Sequence, residues 1–113
     1  MDEMDKNDKS KKYAKVQDYI NTLSEFPEIE RIYLFGSYAY GEPTEHSDVD
    51  IAVILSDSAN ANKSAYKIER ALSSRKISLD LFIDKASRFK NYSSNISTIQ
   101  NDIATKGVLM YGK

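Results

Sequence analysis

The stretch GSYAYGEPTEHSDVD, residues 36–50, lies between two apolar runs, and its reading decides the fold. Before it stand Ile32, Tyr33, Leu34 and Phe35, a β-branched and aromatic run that predicts a strand over residues 30–35. Gly36 permits a tight turn, and Ser37 is expected to cap a short helical turn reaching Tyr40. Residues 41–47 hold glycine, proline and polar side chains, which predicts an exposed loop. The chain then re-enters a strand over residues 48–55. A period of two sets Val49, Ile51, Val53 and Leu55 on one face, and Asp48, Asp50, Ala52 and Ile54 on the other. Both aspartates therefore point the same way.

Outward from this stretch the chain alternates helix and strand. Residues 1–12 mix Asp, Glu, Lys and Asn without a hydrophobic period and read as a flexible N-terminal tail, leaving residues 13–113 as the domain. Tyr13, Val16, Ile20 and Leu23 recur at helical spacing, and the helix is expected to stop near Phe26-Pro27. On the other side, residues 60–74 predict a helix with Ala65, Ile68 and Leu72 on its buried stripe and Asn60 or Asn62 as its cap. Residues 76–83 predict a third strand, with Ile77, Leu79, Leu81 and Ile83 on one face and Ser78, Asp80 and Phe82 on the other. Tyr92, Ile96, Ile99 and Ile103 mark one long helix with Lys106 in its last turn and Gly107 as its stop. Residues 108–111 fit a short closing strand. The order αβ(α)βαβαβ places the chain in the α/β class.

Bulk properties narrow the chemistry. The 113 residues suffice for one core burying roughly two-thirds of the unfolded surface. At 41% hydrophobic and 29% charged, the composition fits a globular chain, and no apolar run approaches the ~20 residues of a membrane span. The first residues, MDEMDKND, are charged where a signal peptide would be apolar, so a cytoplasmic location is expected. No cysteine is present, which removes disulfides, thiolate metal sites and cysteine nucleophiles, and a single histidine, His46, removes a multi-histidine metal site. Sixteen basic against 17 acidic residues give a net charge of −1, so no extended nucleic-acid surface is expected.

The acidic residues carry the chemical signal. Asp80 is an acid inside KISLDLFI, a stretch otherwise suited to burial. If the second and third strands are neighbours, Asp80 lies beside Asp48 and Asp50 at one strand end. Two like charges ~5 Å apart repel by roughly 3 kcal/mol at an effective dielectric of about 20, so such a group calls for cations. Hard oxygen ligands select Mg²⁺ or Mn²⁺, whose usual partner is a nucleoside triphosphate. The Gly36-Ser37 turn supplies a complementary phosphate cradle. The bland alternative for Asp80 is an ion pair with Arg31 or Arg75, and Tyr38 and Tyr40 are read either as base-stacking or as packing residues. Lys85 and Arg88, beyond the third strand, are the cations expected to reach a ligand or partner.

GSYAYGEPTEHSDVDIAV resembles the signature of the minimal nucleotidyltransferases of the DNA polymerase β-like superfamily: a Gly-Ser pair, ten residues, then Asp-x-Asp. The resemblance takes in Asp80 as a third carboxylate and the ending GVLMYG, and so covers about residues 30–112. It implies the nucleotidyltransferase fold, a small mixed β-sheet flanked by helices. It also implies transfer of AMP from ATP to a hydroxyl with two Mg²⁺ ions, Mn²⁺ being the alternative. On this reading Gly36 and Ser37 hold the terminal phosphates, and Asp48 and Asp50 bind both ions. Asp80 binds the catalytic ion and helps deprotonate the acceptor. Tyr40 departs from the pattern, since many relatives carry arginine there.

Larger relatives hold the acceptor with an added helical region. The stretch in hand carries the core, so the acceptor is expected on a protein partner or at a homo- or hetero-oligomer interface. Among small members the best fit is the antitoxin paired with a HEPN ribonuclease toxin, which implies attachment of AMP to a toxin tyrosine. Two alternatives are a non-catalytic module acting by occlusion and a small-molecule nucleotidyltransferase working as a homodimer.

Overall fold

A computed structural model describes residues 2–41, 43, 48–73 and 78–113. Its elements run α1 (Asp2–Leu23), β1 (Ile29–Phe35), α2 (Ser37–Tyr40), β2 (Val49–Leu55), α3 (Ala61–Ala71), β3 (Leu79–Lys85), α4 (Ala86–Ser93), α5 (Ile99–Lys106) and β4 (Val108–Gly112). The sheet order is β3-β2-β1-β4. β1 pairs antiparallel with both β2 and β4, and β2 pairs parallel with β3, so the sheet is mixed, as expected. A parallel pair needs a crossover connection, and α3 supplies it.

β2 is the axis of this architecture. Flanked by a strand on each side, it buries every position except Asp50. Val49, Ile51, Val53 and Leu55 enter a core with Val16, Ile20 and Leu23 of α1, Ile68 of α3 and Leu72. Ala52 and Ile54 face the opposite way and pack with Phe89 of α4 and Ile103 of α5. The chain is thus three layers, with α1 and α3 on one face of the sheet and α4 and α5 on the other. Each fully buried Leu or Ile side chain stabilises this arrangement by about 1.5–3 kcal/mol.

Three local expectations need correction. α1 begins at Asp2, so the stretch read as a tail is helical from residue 2. Its sequence has no glycine or proline, and Asp2, Asp5 and Asp8 stand four positions before Lys6, Lys9 and Lys12, the spacing that supports a helix without an apolar stripe. The single long helix at the C-terminal end is two, α4 and α5. Between them the side chains of Asn95 and Thr98 capture backbone groups: Asn95 Oδ1 accepts from the Ser97 amide at 3.0 Å, and Thr98 Oγ1 donates to the Tyr92 carbonyl at 2.7 Å. Ile96, in the connection between the two helices, is 86% exposed. In α3, Ile68 and the capping Leu72 are buried as expected, but Ser64 takes the third inward position and Ala65 is half-buried. Asn60 is the N-cap, accepting from the Lys63 amide at 3.1 Å.

Candidate active site

The site is built where β1 ends and β2 and β3 begin. Phe35 pairs with Asp50, and Asp50 pairs in parallel register with Asp80, so the two carboxylates stand on adjacent strands at one end of the sheet. Asp50 and Asp80 share the sheet face that carries α4 and α5, as their alternation with Ala52 and Phe82 requires. Asp48 precedes β2 at the exposed mouth, Asp80 is also exposed, and Asp50 is half-buried.

Gly36 closes this corner. Its φ of 73° is in the left-handed region that glycine adopts without strain. A Cβ at this position would meet the Asp50 side chain, with Cγ at 2.9 Å and Oδ2 closer still. The turn and the carboxylate are therefore fitted to one another. Gly36, rather than Ser37, occupies the N-cap position of α2, and its carbonyl accepts from the amides of Ala39 at 3.0 Å and Tyr40 at 3.1 Å. Ser37 is the first helical residue, which corrects its expected role as the cap but keeps it at the corner.

Electrostatics agree with this placement. Burial, then the charges of Asp80 and Asp48, and finally a hydrogen bond with Asp80 hold the Asp50 carboxyl above its ordinary range. The corner carries more negative charge than it can settle by itself. Divalent cations fit the donor set: all donors are hard carboxylate oxygens, and a cation would relieve the repulsion that adds to burial in raising Asp50. Among the described residues, the acids do not form a closed group of three or more around one point.

Other sequence expectations resolve as follows. Arg31 lies on β1, two strands from β3, and its guanidinium donates to the Tyr33 hydroxyl at 3.5 Å, so it does not serve as the Asp80 counterion. Arg75, Lys76, Ile77, Ser47 and His46 lie outside the described residues. Tyr38 is buried and meets Tyr13 edge-on at 5.4 Å, whereas Tyr40 is 47% exposed. Lys85 and Arg88 sit at the far end of β3 from Asp80. Lys85 Nζ donates to the Asp57 carbonyl at 3.2 Å, and Arg88 Nε lies 3.3 Å from Asp84.

Sequence reasoning missed Asp84 and Asp57. Asp84, only 6% exposed, accepts from Gln100 Nε2 at 3.1 Å and from the Lys85 amide at 2.9 Å, tying α5 to the strand that carries Asp80. The signal was available, because Asp80, Phe82 and Asp84 follow one period of two. Asp57 accepts from both the Ser87 amide and hydroxyl at the start of α4, and these bonds hold its carboxyl below its ordinary range.

Comparison with known proteins defines the class. Residues 17–113 match the family described as Polymerase beta, Nucleotidyltransferase. The chain belongs to this polymerase β nucleotidyltransferase family. It is 30% identical over 86 residues to protein adenylyltransferase MntA of Shewanella oneidensis, covering 76% of this chain. The matched part spans 56% of the length of that relative. A toxin–antitoxin structure with AMP-PNP superposes with a TM-score of 0.59 at 27% identity, over 86% of this chain and 73% of the other. A variant MntA–HpeT toxin–antitoxin structure gives a TM-score of 0.56 at 29% identity, over 85% of this chain and 71% of the other. Among the described residues no helix is long and apolar enough to cross a membrane.

Proposed function

We propose that the chain is the catalytic core of a Mg²⁺-dependent protein adenylyltransferase that moves AMP from ATP to a tyrosine of a paired HEPN ribonuclease toxin, acting as its cytoplasmic antitoxin. The observation that carries this reading is Asp50, fitted against the Gly36 turn and paired across the sheet with Asp80, in a chain of this family. The adenylyltransferase name of one relative and the AMP-PNP toxin–antitoxin structure of another support ATP as the donor and a toxin as the acceptor.

Asp48, Asp50 and Asp80 would hold Mg²⁺, which supplies positive charge against the triphosphate when bound. The chain's own groups do the rest. The Gly36-Ser37 turn receives the terminal phosphates with backbone amides. Asp80, the exposed member of the pair, takes the proton of the acceptor phenol. The phenolic oxygen then forms a bond to the α-phosphorus as the bond to the bridging oxygen breaks, and the electron pair leaves on pyrophosphate.

Incubation of the purified protein with ATP, Mg²⁺ and the product of its neighbouring gene tests this directly. Mass spectrometry is expected to find AMP on a tyrosine of that neighbour, and an unmodified neighbour would sink the proposal. Occlusion without chemistry is the second reading, favoured by Tyr40, which stands where many relatives carry arginine. The double variant Asp48→Ala, Asp50→Ala separates the two: enzymatic protection from the toxin is lost, whereas occlusion is retained.

A further inference from the structure

A site that handles a triphosphate needs cationic charge, yet the stretch from residue 32 to residue 62 contains no lysine or arginine. The turn, α2, the loop and β2 all fall inside it. A side-chain cation acting on the triphosphate beside Mg²⁺ must therefore come from another element, and the topology restricts where. β4 starts beside the end of β1, with Val108 paired to Leu34, so the last turn of α5 reaches the same end of the sheet as Asp50 and Asp80. Gly107, which caps α5, lies so close to the chain that a Cβ there would sit 3.3 Å from the Leu34 carbonyl. α5 also covers the sheet face that Asp50 and Asp80 occupy.

Lys106 ends that helix. Its ammonium lies 5.9 Å from the centre of the Tyr40 ring and 3.9 Å from Asp102 Oδ1, and its side chain is 60% exposed. Both contacts are at the outer limit of their kind, so neither commits the charge. Tyr40 in turn is bonded through its amide to Gly36. We infer that Lys106 is the triphosphate-binding cation of this site, brought over Tyr40 by α5 to supply charge that the 32–62 stretch lacks. This rests on the nucleotidyltransferase reading above. The weak contact with Asp102 leaves the ammonium available, and the more highly charged triphosphate draws it away from that carboxylate.

Calorimetric titration with Mg²⁺–ATP and with Mg²⁺–pyrophosphate tests this without recourse to turnover. Lys106→Ala is expected to weaken both ligands by roughly tenfold, with an unchanged melting temperature because the side chain is exposed. Lys106→Arg retains binding, and Tyr40→Arg added to Lys106→Ala restores it. In transfer assays the KM for ATP rises more than kcat falls. Equal binding by wild type and Lys106→Ala overturns the inference while leaving the proposed function intact. Loss of binding in Arg75→Ala, Lys76→Ala with none in Lys106→Ala assigns the cation elsewhere and also overturns it. If the wild type binds no ATP at all, the nucleotidyltransferase reading itself fails.

Discussion

Gly36 and Asp50 must be considered together, since the space a side chain would take at one is filled by the carboxylate of the other. Gly36→Ala adds a left-handed strain of about 1–3 kcal/mol and pushes Asp50 off its register with Asp80. Transfer is expected to fall by roughly 100-fold with a clear drop in melting temperature; wild-type kinetics in this variant would show that the fit does not matter. Asp50 itself behaves in the opposite sense. Its carboxyl is held high by burial and by Asp80 and Asp48, so the fold binds its proton more tightly than the unfolded chain does. In metal-free buffer its contribution to stability is complete at low pH and is lost as pH rises through the elevated value. Asp50→Asn is expected to abolish transfer and yet raise the metal-free melting temperature at neutral pH by about 2–6 °C. Thermal scans against pH check both parts, the variant giving the flatter profile.

At the scale of elements, the start of β1 is joined to α3 by Glu28. Its carboxylate lies 2.8 Å from Lys67 Nζ and accepts from Ser64 Oγ at 2.9 Å. Hydrogen bonding by Lys67 is the main cause of a pKa below the ordinary glutamate value. That contribution is present above the unfolded pKa and fades as pH falls through the lowered one. Glu28→Gln is therefore expected to lose stability at pH 7, by about 0.5–1.5 kcal/mol, and to lose part of the acid sensitivity; identical acid midpoints for the two proteins would refute this. Legibility in the sequence follows the same physics of elements. β2 was readable to within one residue, expected over 48–55 and found over Val49–Leu55, because its apolar run has one polar exception, Asp50, whose side strict alternation assigns. α1 was cut short because the sequence of its first turns has no apolar period. The α4–α5 break was hidden by isoleucines whose spacing continues across it, while local side-chain bonds at Asn95 and Thr98 prevail over that spacing. Of the candidate site, Asp50 and Asp80 were placed correctly on adjacent strands. What could not be read was the contribution of α5, because nothing in the order of residues says that Lys106 returns to Tyr40.

For the molecule as a whole, a ligand that binds only the folded form raises stability by mass action. Mg²⁺–ATP at about 100 times its dissociation constant adds roughly 2.7 kcal/mol, which is expected to raise the melting temperature of the wild type but not of Asp48→Ala, Asp50→Ala. An equal rise in both would mean that the nucleotide binds away from this corner. The topology also sets the order in which the corner comes into being. Gly36 and Asp50 meet through the antiparallel β1–β2 hairpin, a contact between near neighbours in the chain, whereas Asp80 arrives through the parallel crossover after α3. Local contacts form with the smaller loop-closure cost, so the phosphate turn and its first carboxylate assemble early and the third carboxylate late. Pulse-labelled hydrogen exchange during refolding would then protect β1 and β2 amides before those of β3; simultaneous protection would contradict this order. A nascent chain would thus be unable to bind nucleotide productively until β3 had docked, which makes completion of the fold itself the step that switches the site on.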